Sequence, residues 1–361
     1  MSITIELAKE RLDYIIGISR VDLYKPIHIA EVLYRARTVQ DIDPLQWETY
    51  RLPSLAWRNA TTLRLQGKIS TSSARYQHDV WSDTAMPPAY LATLATENNR
   101  TSGAVERYIY GRYSERQGTV SEVIAYIGSH DAETFSLEML LQLFVTTPGI
   151  RRSVDKAYEI IVYALFETVV SALGATVRVQ VPEENRELLA EFAELARVLL
   201  GVSDGQMAWE EAAHIYRVGV TNAADRGLDM WANFGPAIQV KHLTLNPRLA
   251  ANIVDQVESE HVVIVCRDAD SEVIKVLVQQ IGWRRRVRGI VKESDLLALY
   301  HKCLRGTFRD RLAEPLLTRL REGFAAEFPQ SDTLAALLEE RGYATLIPEP
   351  LWQTASDAAT K

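Results

Sequence analysis

Asp229, Gln239 and Lys241 lie in the stretch DRGLDMWANFGPAIQVKHLTL (Asp225–Leu245). It consists of two short apolar runs with polar residues at alternate positions, separated by Asn233, Phe234, Gly235 and Pro236. A strand repeats every two residues, so Gln239 and Lys241 fall on one face and Ile238, Val240 and His242 on the other. A turn of the Asn-Phe-Gly-Pro kind returns Asp229 beside them. These residue types suit hydrolysis at a divalent metal. The carboxylate offers a hard anionic oxygen and the amide a neutral one, while the ammonium orients or helps deprotonate an attacking water and offsets phosphate charge. In a random chain the same short pattern is more often the solvated face of an ordinary hairpin, so the neighbouring elements matter.

The chain that follows supplies a helix over Asn246–Val257 and then the apolar run His261–Cys266, which reads as a central strand. Upstream, Ser153–Leu173 carries Ala157, Ile160, Ile161, Ala164, Leu165, Val169 and Leu173 at helical spacing, with Ser153 as its cap and Gly174 as its stop. Glu159 and Tyr163 share one face of that helix. A glutamate in so apolar a helix either reaches back to solvent or faces an active cleft. Ala175–Val181 is predicted as a strand with Val177, Val179 and Val181 on one face. Arg186–Leu200 is predicted as an amphipathic helix, within an insertion near 183–206 between core strands, and Ser271–Ile281 as a further helix. The succession predicts a mixed α/β domain over 149–361.

Residues 1–148 read as a mainly helical domain with a DNA-recognition or dimerisation role, closed by Pro148 and Gly149. Its helices are expected over Ile5–Ile18, Ile27–Arg37, Ala104–Tyr113, Val120–Ile127 and Phe135–Phe144. Between Gln40 and Arg100 the pattern is irregular, with Pro87 and Pro88 marking a loop. Trp47, Tyr50, Trp57, Tyr76 and Trp81 either pack the core of this domain or line a polymer groove. Past the central strand, WRRRVRGIVK (Trp283–Lys292) gathers five positive residues. Read as a strand, it sets Arg284, Arg286 and Arg288 on one face for DNA contact, opposite Arg285 and Val287; a solvated strand face is the alternative. Leu296–Leu304, Leu312–Phe328 and Asp332–Leu338 are predicted helices, and the end after Trp352 reads as frayed.

The chain has 361 residues, 47% hydrophobic and 24% charged, the balance of a globular protein of two or three domains. A formal net charge of −7 argues against a surface that grips polyanions all over, and is compatible with a basic cleft in an acidic shell. No apolar run is long enough to span a bilayer, and Met1–Ile5 leads directly into charged residues, without the shape of a signal peptide. Cys266 and Cys303 form no close pair and have no zinc spacing, and Cys266, within the apolar run, reads as a buried thiol. The expected location is the cytoplasm, with no membrane partner.

YRVGVTNAADRGLDMWANFGPAIQVKHL (Tyr216–Leu243), VVIVCRDAD (Val262–Asp270), IGWRRRVRGIV (Ile281–Val291) and RVDLYKPIHIAEVLYR (Arg20–Arg35) resemble the HaeII family of type II restriction endonucleases. The resemblance runs through nearly the whole chain. It implies a restriction-endonuclease-like α/β fold of the PD-(D/E)XK kind, with a mixed sheet flanked by helices. It also implies a Mg2+-dependent phosphodiesterase that cuts double-stranded DNA as a homodimer at a palindrome. For the family's best known member that site is purine-GCGC-pyrimidine. The products implied carry 5′ phosphate and 3′ hydroxyl, and a cognate DNA methyltransferase protects host DNA without needing to bind this chain.

By the superfamily's pattern Asp229, Gln239 and Lys241 are the catalytic motif, and Asp229 and Gln239 are metal ligands. Leu228 stands where the general signature has proline, and Gln239 where it has a second acid. Glu159, on a helix where the superfamily often places an additional acid, supplies the missing charge as a third ligand. Two other classes keep the same residues in view: a repair or junction-resolving nuclease, and a non-catalytic DNA-binding module with a decayed centre.

Overall fold

The computed structural model describes residues 3–70, 74–147, 150, 153–218, 228–256, 259–269, 287–329, 333–355 and 357. The expected helix Ser271–Ile281, together with Arg284, Arg285 and Arg286, lies outside them.

The N-terminal region is helical, as its periodicity predicts. Helix α1 (Ile5–Ile18) starts where the Thr4 side chain accepts from the Leu7 N–H, and α2 (Tyr24–Thr38) follows. The stretch that reads as irregular holds α3 (Ser54–Gln66), the short α4 (Ala74–His78) and α5 (Pro88–Arg100). Pro88 opens α5 instead of marking a loop, because a first-turn residue needs no N–H partner and proline's fixed φ already suits a helix. Helix α6 (Ala104–Ser129) runs unbroken through what reads as two helices.

Tyr50 and Trp81 are buried in the first core with Leu12, Ile27, Leu94 and Ile109, whereas Trp47 and Tyr76 are exposed. The same core takes in Leu337, Tyr343 and Trp352 from the C-terminal end. The end after Trp352 is therefore not frayed throughout. Thr354 is buried, and Asp357 pairs with Arg107 at 2.6 Å. A Cβ on Gly111 would stand 2.8 Å from Thr354 Cγ2, so glycine lets the tail lie on α6.

Helices α7 (Leu137–Thr146) and α8 (Val154–Leu173) lead into the second core. The Ser153 side chain makes no capping bond, while Gly174 ends α8 at φ +63°. Strand β1 (Thr176–Gln180) pairs antiparallel with β2 (Ala208–Ala212) in a two-stranded sheet of their own. The insertion, with α9 (Arg186–Glu191) and α10 (Ala193–Leu200), thus sits within this small sheet and not between core strands.

The main sheet comprises β3 (Ile215–Arg217), β4 (Met230–Ala232), β5 (Ala237–Leu245), β6 (Val262–Ala269) and β7 (Val287–Lys292), side by side in that order. It is mixed: β3, β4 and β5 are antiparallel neighbours, while β5, β6 and β7 run parallel. Helix α11 (Pro247–Gln256) makes the crossover from β5 to β6. Helices α12 (Glu293–Arg305), α13 (Arg309–Glu327) and α14 (Thr333–Glu340) follow.

Ile238 and Val240 on β5 pack with Met230, Val265, Ile161, Leu296 and Leu320 in the second core, beneath α8, α12 and α13. Close packing of α8 on α13 uses Gly323, where a Cβ would meet Ile160 Cγ2 at 2.7 Å. On the opposite face Ala237, Ile264 and Cys266 pack with Ala250 and Ile253 of α11. Burying Ile238 and Val240 is worth about 1.5–3 kcal/mol each, and a one-residue slip would expose them. Hydrophobic register therefore fixes which face carries Gln239 and Lys241.

Candidate active site

Strands β4 and β5 form the hairpin that the Asn-Phe-Gly-Pro run predicts, with Met230 opposite Ile238 and Trp231 opposite Ala237. The same register sets Asp229 across from Gln239. Gln239 Nε2 donates to Asp229 Oδ2 at 2.5 Å, and the Val240 N–H donates to the same oxygen at 2.8 Å. Gln239 is 2% exposed, and its Oε1 has no hydrogen-bond partner among the described residues. Leaving a buried acceptor unmatched costs about 1–3 kcal/mol, so the amide is a poor choice for stability alone.

Glu159 is buried on α8, where burial raises its proton affinity above the ordinary carboxyl range. Lys156, one turn earlier, opposes that shift by pairing with both carboxylate oxygens at 2.6 and 2.9 Å. The charge of Asp229 raises Glu159 further, and that of Arg217 lowers it. Asp229 is likewise raised by burial, with Lys241, the Val240 N–H and Lys156 pulling it down and Asp155 pushing it up. The structure thus brings all four sequence-predicted residues, Asp229, Gln239, Lys241 and Glu159, into one electrostatic neighbourhood.

Two carboxylates whose negative charge is only partly compensated, beside an unmatched amide oxygen, fit a hard divalent cation. Among the described residues no group of three or more His, Cys, Asp or Glu is placed to hold a metal. A third ligand at this centre has to be the amide of Gln239. With the amide as assigned, N–H points to Asp229; a half-turn of its terminal group would direct Oε1 there instead.

Arg288 is exposed on β7, which β6 separates from β5, so it stands apart from the acids. Its partners Arg284 and Arg286 lie outside the described residues. His242 sits on the reverse face of β5 from Lys241, its ring edge-on to Tyr158 at 4.9 Å and its Nε2 3.5 Å from Glu293. Sequence reasoning missed Lys156 and Arg217. Lys156 had a local signal, a lysine three residues before a buried glutamate on one helix face. Arg217 had none, because its pairing with Glu327 at 3.1 Å spans more than a hundred residues of chain.

A sequence profile described as HaeII restriction endonuclease matches residues 8–343. The chain is 46% identical over 328 residues to the "Type II restriction enzyme HaeII" of Haemophilus aegyptius, covering 91% of this chain and 93% of that one. It is 45% identical over 346 residues to the "Type II restriction enzyme NgoBI" of Neisseria gonorrhoeae, covering 95% and 98% respectively. No solved structure matches.

Proposed function

Because the chain belongs to the HaeII restriction endonuclease family, and is a type II restriction endonuclease on that ground, we propose that it cuts both strands of a short DNA palindrome as a Mg2+-dependent homodimer. The observation that carries the metal-dependent chemistry is the Gln239–Asp229 pair across the central strands, with Glu159 and Lys241 beside it.

In this reading Asp229, Glu159 and the amide oxygen of Gln239 hold Mg2+, which when bound neutralises charge on the scissile phosphate and lowers the pKa of water. Lys241 orients the attacking water for in-line displacement and offsets the negative charge that builds on phosphorus. Asp229 is held by the Val240 N–H, so a backbone donor of β5 aligns the carboxylate at the start of the neighbouring β4. Lys156 balances Glu159 while the centre is free of metal. Cleavage leaves 5′ phosphate and 3′ hydroxyl. The resemblance to the HaeII family makes purine-GCGC-pyrimidine the first sequence to try. Arg284, Arg286 and Arg288 are assigned to DNA contact on the basis of their charge and spacing.

The test is digestion of a sequenced plasmid with and without Mg2+, followed by mapping of both strands. Discrete ends at one palindrome support the restriction reading. Preference for nicks or junctions would favour repair, and tight binding without cutting would favour a DNA-binding module. Among the described residues no helix is long and apolar enough to cross a membrane.

A further inference from the structure

Leu188, Phe192, Leu195 and Leu199 follow one another at intervals of four, three and four residues along α9 and α10. That spacing draws a single stripe on a helix. The two helices form one bent rod. At Phe192 the backbone departs from helical angles, yet its N–H still donates to Leu188 O at 3.1 Å and its carbonyl accepts from the Ala196 N–H at 2.9 Å. The stripe points away from the protein: Leu188 is 57% exposed, Phe192 52%, Leu195 56% and Leu199 70%. Val198, beside it, is more exposed still. Leu189, about a quarter turn round the rod from the stripe, is buried.

Together these five side chains expose on the order of 500 Å² of apolar surface, at the upper end of what a monomer presents as one patch. With a polar rim it approaches the about 800 Å² per partner of a stable interface. The module beneath is thin. Strands β1 and β2 are no more than half-buried and make a sheet of two, a construction that is marginal in water without cover.

Charge narrows the choice of occupant. Between residues 176 and 212 there are eight acidic residues against three basic ones, so a polyanion is repelled. The stripe is self-complementary. In an antiparallel two-fold pairing Leu188 meets the partner's Leu199 and Phe192 meets the partner's Leu195, the same contacts repeated across the axis. Glu191, flanking the stripe, then faces the partner's Ala196 and meets no like charge.

We infer that this stripe is the dimer contact, and that its occupant is the same stripe of a second copy of the chain. The inference rests on the homodimer in the proposed function but not on its chemistry, so the two fail separately. It is tested by sedimentation of the full chain across a wide concentration range, comparing the parent with Leu195→Glu. The substituted position is exposed in the single chain, so the monomer's core is untouched. Arg197→Ala, an exposed position on the far side of the rod from the stripe, serves as control.

The parent is expected to dimerise, Leu195→Glu to weaken the association by about 30-fold or more, and Arg197→Ala to leave it unchanged. A parent dimer that Leu195→Glu does not disturb overturns the surface and leaves the homodimer standing. A parent that stays monomeric with and without duplex DNA overturns both. Nuclease failure reads out differently, as an intact dimer that does not cut. Hydrogen exchange on the unmodified chain decides the matter should the variant misfold: protection at residues 186–200 must rise with protein concentration. Protection that stays flat while the chain dimerises overturns the assignment.

Discussion

Gln239 and Asp229 face each other across β5 and β4, with the glutamine amide donating to the carboxylate at 2.5 Å and its own carbonyl oxygen left without a partner among the described residues. A glutamate at this position would set two carboxylates against each other. Glutamine removes one charge and retains an oxygen. Gln239→Glu is therefore expected to fold and cut, with an altered dependence on metal concentration, whereas Gln239→Leu removes the oxygen and should fail to cut. Titration of both variants with Mg2+ and Mn2+ checks this; an active leucine variant would take Gln239 out of the metal's coordination.

Lys156 acts on both acids, so its removal should be visible in a pH profile. It lowers the proton affinity of Glu159 and of Asp229. In Lys156→Ala both carboxyls hold their protons to higher pH, and the acid limb of the cleavage profile should move upward, with the rate partly recovered in alkali. An unchanged acid limb would show that this charge does not reach the reacting groups.

Metal-free stability gives a readout apart from catalysis. Burial raises Asp229 above its ordinary value of 3.8. A carboxyl whose proton affinity is raised on folding favours the folded state below its unfolded pKa, and that contribution is lost as pH rises through the folded value. Asp229→Asn in EDTA should therefore melt above the parent at pH 8, with the gap closing towards pH 4. Added Ca2+ should raise the melting temperature of the parent and not of the variant. A variant that melts below the parent at pH 8 would contradict the assignment of burial as the dominant influence.

Much of this site was legible because it depends on local rules. Alternation about Asn233–Pro236 defined the β4–β5 hairpin, and the apolar run at Val262 identified the neighbouring β6. The buried Glu159 stood out against an apolar helix. What escaped depends on distance. Nothing near Arg217 shows that Glu327 pairs with it, and nothing near Trp352 shows that the tail enters the first core. Strand β1 has the alternation of a core strand, yet it pairs with β2 outside the main sheet, because pattern reports a half-buried face and not which partner covers it. Helices α3 and α5 escaped because tertiary burial of their polar faces, such as Arg58 and Asn98, blurs the periodicity.

Arg288 separates two kinds of DNA contact. As a phosphate contact its loss should weaken binding to every duplex and lower the salt slope by about one unit. As a bidentate guanine contact its loss should cost about 1–3 kcal/mol and relax one base position. Salt titrations of Arg284→Ala, Arg286→Ala and Arg288→Ala on cognate and single-mismatch duplexes distinguish these, with at least one of the three expected to show either behaviour and Arg285→Ala to show less. Parental behaviour in all three, together with failure of the Arg285 variant, would reverse the assigned strand face.

The catalytic assignment is tested most directly by single-turnover cleavage of a duplex carrying the mapped site, using Asp229→Asn and Lys241→Ala, with binding measured beforehand in Ca2+. Lys241→Ala should bind the duplex close to the parent and cut it on the order of 10²–10³-fold more slowly, the loss typical of a group acting only in the transition state. Asp229→Asn should remain folded and fail to cut in Mg2+. Cutting by either variant at near the parent's rate would contradict the placement of the metal and the attacking water at β4 and β5.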